Sequence, residues 1–256
     1  MVLGLFHRKN DPDAPRVPDD TVVYAVGDVH GCFNLLLRLQ AEITEDAAKR
    51  KAARRVVVYL GDYIDRGPAS RGVIEHFIKR PLAGFESLHL MGNHDRWLLD
   101  FLDDPGQGQA WLMNGGRATL ASYGVNDVST GSQRDQMQGL QQGLLKALPP
   151  SHRAFFEGLK LTHTEGDYLF VHAGVRPKVA LDAQDPADLL WIREEFLYSD
   201  ADFGKIVVHG HTPGHTPEEH ANRIAIDTGA FMTGRLTAVA LEGSRRRFLY
   251  AQESLG

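Results

Sequence analysis

The chain has 256 residues, 43% of them hydrophobic, with a formal net charge of −5 and a single cysteine, Cys32. That length suits one large domain or two small ones, with enough apolar content for a sizeable core. The acidic, mixed-sign balance argues against a general nucleic-acid binder, and one thiol excludes an internal disulfide. Residues 1–20 carry an apolar stretch far too short for a signal peptide or membrane span, followed by Pro and Asp. They read as a loose leader, and the chain as a cytoplasmic protein with no membrane partner. Thr21–Val26 (TVVYAV) is the first predicted strand. Leu35, Leu36, Leu39 and Ile43 fall at helical spacing, so Asn34–Ile43 follows as a helix. Arg55–Leu60 is a second strand, Ala69–Ile78 a helix and Phe85–Met91 a third strand. Strand, loop and helix thus repeat, an α/β signature that places function at the C-terminal ends of strands.

The character changes at Trp97. Met137, Leu140, Leu144 and Leu148 share one helical face, and Pro149-Pro150 stops that helix. Ser151 suits the N-cap of the next helix, which Gly158 ends. Residues 97–161 read as a mostly helical insertion within a single domain spanning 21–256. Strands resume at Tyr168–Val171, Ile206–Val208, Ile224–Ile226, Leu236–Leu241 and Phe248–Tyr250.

Three predicted strands end in glycine-led loops: GDVHG (27–31), GDYIDRG (61–67) and GNHD (92–95). Asp28 and His30 alternate, so both side chains leave an extended turn on one side. Asp62 carries two oxygens and can bridge two cations about 3.5–4 Å apart. Asn93 adds a neutral oxygen. His172 in FVHAG and His211 in VVHGHTP, each after an apolar strand, complete a candidate donor set for two divalent cations. Mixed Asp, Asn and His donors favour Mn²⁺, Fe or Zn²⁺ over Ca²⁺ or Mg²⁺. Manganese is the first expectation, with iron and zinc open. His209 is unassigned, His215 and His220 read as solvated, and His7, His76, His89, His152 and His163 have no ligand context.

Arg66, four residues past Asp62, suits bidentate grip of a phosphoryl group. Arg193 in LLWIREEF, read as lying at a buried strand end, is a second candidate. His94 next to Asp95 suggests an oriented imidazole that protonates a leaving alkoxide, with Asp95 also free to cap the following helix. Trp111, Trp191 and Tyr123 read as core residues, with stacking on an aromatic substrate the alternative. Arg245–Arg247 reads as a solvated strand edge.

These motifs resemble the calcineurin-like metallophosphoesterases, and more narrowly the phosphoprotein phosphatase branch with its bacterial and bacteriophage-type members. GDVHG, GDYIDRG and GNHD match its three signature motifs, and VHAG, HGHT and WIRE its later ones, so that the likeness runs from Val22 to Leu241. The resemblance implies the metallophosphoesterase fold, an α/β two-sheet β-sandwich flanked by helices. It implies Asp28, His30 and Asp62 on one metal, Asp62, Asn93, His172 and His211 on the other, His94 with Asp95 as acid pair, and Arg66 and Arg193 on phosphate. Pro213 stands where many superfamily members carry a further His, as in the phosphoprotein phosphatase branch. GNHD and HAG also occur in the related symmetrical diadenosine-tetraphosphate hydrolases, whereas GDYIDRG is closer to protein phosphatases. The expected function is metal-dependent phosphomonoester hydrolysis of phosphoserine and phosphothreonine in a protein or peptide, with phosphotyrosine open as a further substrate, by in-line attack of a two-metal-activated hydroxide; symmetrical dinucleoside polyphosphate hydrolysis is the alternative. Oligomeric state is not legible.

Overall fold

The computed structural model describes residues 14–126 and 131–253. β1 (Thr21–Val26) is buried along its whole length, as an unbroken apolar run requires. It pairs in parallel with β2 (Arg54–Tyr59), and β2 in parallel with β3 (Glu86–His89). On its other side β1 meets β9 (Arg235–Glu242), which forms an antiparallel hairpin with β10 (Arg245–Gln252). A second sheet runs in the order β4 (Thr162–Glu165), β5 (Tyr168–Val171), β6 (Ile206–His209), β8 (Arg223–Ala225), β7 (Glu218–Glu219). Within it β5, β6 and β8 are parallel.

The strand period of two decides which core each residue joins. Val23 and Ala25 face inward and pack with Val56, Val58, Phe170, Val208 and Ile224, closing one sheet on the other. Val22, Tyr24 and Val26 face outward and pack under α1 (Phe33–Ala48), through Leu35, Leu36 and Leu39, and α2 (Ser70–Lys79), through Val73 and Ile74. On the far side of the second sheet, Leu169 and Val207 pack under Leu189 and Phe196. These belong to α8 (Pro186–Trp191) and α9 (Glu194–Leu197). The two sheets with helices on both outer faces make the α/β sandwich that the motifs implied.

The described residues between 93 and 157 carry no strand. Their helices are α3 (Asn93–Asp103), α4 (Gly108–Trp111), α5 (Arg117–Ser122), α6 (Gln133–Ala147) and α7 (Pro150–Glu157). Three local expectations change. α7 starts at Pro150 with Pro149 as its N-cap, not at Ser151, because the fixed φ and missing N–H of proline suit the first helical position. The apolar stretch before Arg193 is helical, not a strand end: Asp185 Oδ1 accepts the Ala187 N–H at 2.8 Å and Pro186 opens the turn. β4 and β7 are polar (THTE and EE) and carry no apolar run to betray them.

The leader falls partly on residues 1–13, outside the described residues. Residues next to them are packed: Val17 is buried and donates its N–H to the Gly243 carbonyl, and Tyr168 Oη donates to the Pro15 carbonyl. The Arg245–Arg247 edge is ion-paired, with Arg246 on Glu219 and Arg247 on Asp46. Among the described residues no helix is long and apolar enough to cross a membrane.

Candidate metal centre

Every predicted donor sits just beyond the C-terminal end of a strand. Asp28 and His30 follow β1, Asp62 follows β2, and Asn93 and His94 open α3 after β3. His172 follows β5 and His211 follows β6, so both sheets deliver donors to one place. Two glycines permit the approach. A Cβ on Gly92 would lie 2.1 Å from Asp62 Oδ1, and one on Gly210 would lie 2.1 Å from Asp28 Oδ1. His30, Asp62, Asp65, Arg66 and His211 all hold left-handed backbone, with φ between 43° and 74°. Side chains with a Cβ adopt that region only under constraint, and such strain gathers at functional sites.

Donor atoms form two groups that share one residue: His30, Asp62 and His94, and Asp62, His172 and His211. The imidazole hydrogen bonds fix which nitrogens are free. His30 Nδ1 lies 2.7 Å from the Ile64 carbonyl and His172 Nδ1 lies 2.9 Å from the Leu60 carbonyl. A carbonyl can only accept, so both Nδ1 atoms carry the proton and both Nε2 atoms present lone pairs. Burial pushes His30 down to about 3 and also lowers His172, which keeps both rings neutral. His172 Nε2 then faces Asn93 Oδ1 at 2.9 Å, and His211 Nδ1 lies 2.8 Å from the same oxygen.

Lone pairs of His172 and Asn93 pointing at each other favour a cation between them. His211 Nε2 is buried without a partner, and burial lowers this ring to about 2. Burial raises Asp62, whereas positive charge on the surrounding imidazoles of His172, His94, His30 and His211, whenever one of them is protonated, pulls the carboxyl below its usual range. Neutral imidazoles, an ionised carboxylate and an amide oxygen are the donors a borderline divalent metal takes, so the residues present fit such an ion.

Asp28 stands outside both donor groups. Its carboxylate accepts the His211 N–H at 3.1 Å, while burial and the charges of Asp227 and Asp62 push it well up. Asp227 was not singled out from sequence. It ends the apolar IAID run as Asp28 ends β1, and burial pushes it up to about 6. His209, buried beside Phe196, donates from Nδ1 to the Gly210 carbonyl and joins neither group.

The acid pair needs correcting. His94 Nδ1 bonds Asp65 Oδ2 at 2.6 Å, not Asp95. Asp65 also accepts from Trp111 Nε1 at 2.8 Å and Thr119 Oγ1 at 2.6 Å. Trp111 lies on α4 and Thr119 on α5, so the helical segment is what pins the carboxylate behind His94. Burial raises Asp65 despite those three donors. Asp95 is one residue past His94 and therefore points about 100° away around the helix. As the third residue of α3 it turns back to the helix start. Its carboxylate accepts the backbone N–H groups of Asp62 (2.8 Å), Tyr63 (3.2 Å) and Gly92 (3.0 Å). Asp95→Ala strands three buried donors, so we expect a loss of about 3 kcal/mol or more in stability, read by urea unfolding. A loss near zero would mean that water reaches those groups.

Arg66 spans the front of the site, with Nη1 3.0 Å from His30 Nε2 and Nη2 3.1 Å from His94 Nε2. The Phe231 ring, absent from the sequence reading, lies 4.7 Å from its guanidinium carbon, and the Gly115 carbonyl accepts its backbone N–H. Arg193 is exposed beside the second donor group, close enough for its charge to lower His172 and His211. All ten predicted site residues are thus gathered within one region, Asp95 beneath it as a scaffold.

The sequence pattern of the family described as Calcineurin-like phosphoesterase matches residues 21–230. Serine/threonine-protein phosphatase 1 of Salmonella typhimurium is 29% identical over 228 residues, covering 86% of this chain and 92% of the relative. The asymmetrical bis(5'-nucleosyl)-tetraphosphatase PrpE of Anoxybacillus flavithermus is 26% identical over 238 residues, covering 84% and 88%. A solved protein serine/threonine phosphatase from Saccharomyces cerevisiae superposes with a TM-score of 0.55 at 15% identity, over 93% of this chain and 81% of that one, which speaks to the fold alone. With the matched span running from the first strand to the turn after β8, and named phosphatases among the relatives, the chain belongs to the calcineurin-like phosphoesterase family of hydrolases.

Proposed function

We propose that this chain is a metal-dependent phosphomonoesterase acting on phosphoserine and phosphothreonine in proteins or peptides, with phosphotyrosine as a further candidate substrate. The observation that carries the reading is a single carboxylate, Asp62, shared by two donor groups with His94 and Arg66 beside it. Asp62 would bridge two divalent cations, manganese first, with Asp28 and His30 toward one and Asn93, His172 and His211 toward the other. Such cations supply an activated water as nucleophile and neutralise phosphoryl charge. Arg66 offers two parallel N–H groups to the phosphoryl oxygens, and Arg193 offers a second positive group from the opposite side. His94, protonated on Nε2 once Arg66 turns from it to the phosphoryl group, would deliver that proton to the leaving oxygen, with Asp65 on Nδ1 stabilising the imidazolium. Displacement is direct on phosphorus, without a phosphoenzyme, and a cytoplasmic setting suits a phosphoprotein substrate.

A second reading, dinucleoside polyphosphate hydrolysis, is favoured by the bis(5'-nucleosyl)-tetraphosphatases among the relatives. The test uses metal-stripped protein resupplied with Mn²⁺, offered phosphopeptides and diadenosine tetraphosphate at equal concentration. Preference for phosphopeptides is expected. Preference for the dinucleotide would replace the first reading by the second.

A further inference from the structure

Trp111 and Tyr123, read as core residues, are buried, whereas Trp191 is 38% exposed. Trp111 also opens a stretch, WLMNGGRAT (111–119), that grips both halves of the Asp65-Arg66 pair. Trp111 Nε1 and Thr119 Oγ1 donate to the Asp65 carboxylate, and the Asp65 backbone N–H donates back to Thr119 Oγ1 at 2.9 Å. Between them a single wide turn of π-helix, Leu112–Gly116, joins α4 to α5. Its backbone kinks: Asn114 sits at φ −101°, ψ 18° and Gly115 at φ 112°, ψ −1°. Asn114 Nδ2 closes the kink by donating to the Ala110 carbonyl at 2.8 Å. Wide turns of this kind gather at functional sites.

The kink presents bare backbone to Arg66. The Gly115 carbonyl accepts the Arg66 N–H at 3.2 Å. A Cβ on Gly115 would stand 2.7 Å from Arg66 Cγ and 2.7 Å from its backbone nitrogen, well inside the contact distance of unbonded atoms. Gly115 thus backs the stem of the side chain, while the Phe231 ring backs the guanidinium. Arg66 itself holds left-handed backbone, φ 65°, which outside contacts must maintain. A guanidinium grips a phosphoryl group when its two N–H groups arrive in plane with the oxygens, and an error of about 1 Å costs about 10²-fold in rate. Resting on the phosphomonoesterase reading above, we propose that the Asn114-Gly115 kink is a positioning element for Arg66, with Gly115 as its contact residue. It fixes the stem, and so the direction from which the guanidinium turns onto the phosphoryl group. The same stretch pins Asp65 behind His94, so one turn keeps the acid and the phosphate grip in register. Glycine serves there through its positive φ and its missing Cβ together.

The experiment is a double-mutant cycle on hydrolysis of a phosphoserine peptide by Mn²⁺-loaded protein, with inorganic phosphate as competing inhibitor. Gly115→Ala is expected to lower kcat/KM about tenfold to hundredfold and to weaken phosphate inhibition about tenfold, with metal content unchanged. In an Arg66→Ala background the same change is expected to cost less than about twofold, because the group it misdirects is gone. Gly124→Ala is the control. Gly124 also has a positive φ, 78°, but a Cβ there would meet nothing within 4 Å. It shares the backbone strain without the contact, and its kinetics should match wild type. Equal losses from Gly115→Ala in both backgrounds, or equal losses from Gly124→Ala and Gly115→Ala, overturn the positioning role and leave the phosphomonoesterase reading standing. Should Gly115→Ala not fold, Asn114→Ala carries the test, since it loosens the kink and puts no new atom against Arg66. Phosphate inhibition weakened about threefold is then expected, and unchanged inhibition overturns the proposal. Wild type without turnover of the peptide overturns the phosphomonoesterase reading, and the proposal with it.

Discussion

Asp62→Asn is expected to lose both bound metal and activity, with turnover falling by about 10³-fold or more, the rate equivalent of the several kcal/mol a metal centre supplies. The substitution is nearly isosteric. It keeps an oxygen for the His94 backbone N–H, which Asp62 Oδ1 accepts at 2.9 Å, so the fold should survive. What it removes is the one negative charge common to both donor groups. An amide oxygen in its place leaves Asp28 as the one charged donor on one side, only neutral donors on the other, and no anionic bridge. Metal content by plasma mass spectrometry, measured beside phosphoester turnover, checks the expectation. Two full equivalents of metal in the variant would remove Asp62 as the bridge.

The second large effect separates the two aspartates near His94. Asp65→Asn and His94→Asn are each expected to slow hydrolysis of alkyl phosphates by about 10²–10⁴-fold, the usual worth of a positioned acid. Both should cost far less on p-nitrophenyl phosphate, whose leaving oxygen needs no proton. Asp65 takes His94 Nδ1 at 2.6 Å, so its loss frees the ring to turn or to hold its proton on the wrong nitrogen. Asp95→Asn, by contrast, should show no such dependence on the leaving group, because that carboxylate serves backbone donors only. The slope of log kcat against leaving-group pKa measures the difference. A steep slope in Asp95→Asn with a flat one in Asp65→Asn would restore the pairing expected from sequence.

The contrast shows what was legible in the chain. Asp28, His30, Asp62, Asn93, His172 and His211 could be named because each ends an apolar run, and a strand end is visible in one dimension. The partner of His94 could not. Asp65 and Asp95 are both near it in space, but adjacency in sequence favours Asp95, and only the 100° step of the helix sends that side chain elsewhere. Trp111 and Thr119 were hidden for a different reason, since their roles depend on where α4 and α5 settle against the GDYIDRG loop. The strands β4 and β7 were missed because polar edge strands carry no hydrophobic period. The helix before Arg193 was missed because a four-residue apolar run is ambiguous without weight given to the Asp185-Pro186 start.

The left-handed backbone at His30, Asp62, Asp65, Arg66 and His211 bears on how this chain would respond to laboratory evolution. On backbone conformation alone glycine would relieve roughly 1 kcal/mol at each of these positions, although at Asp65 it would also strand the Trp111 and Thr119 donors. Each such change would erase a side chain that the proposed chemistry uses. Screens that reward survival and screens that reward turnover would therefore diverge first at the same five codons, and robustness is better sought in the sandwich that holds those loops in place.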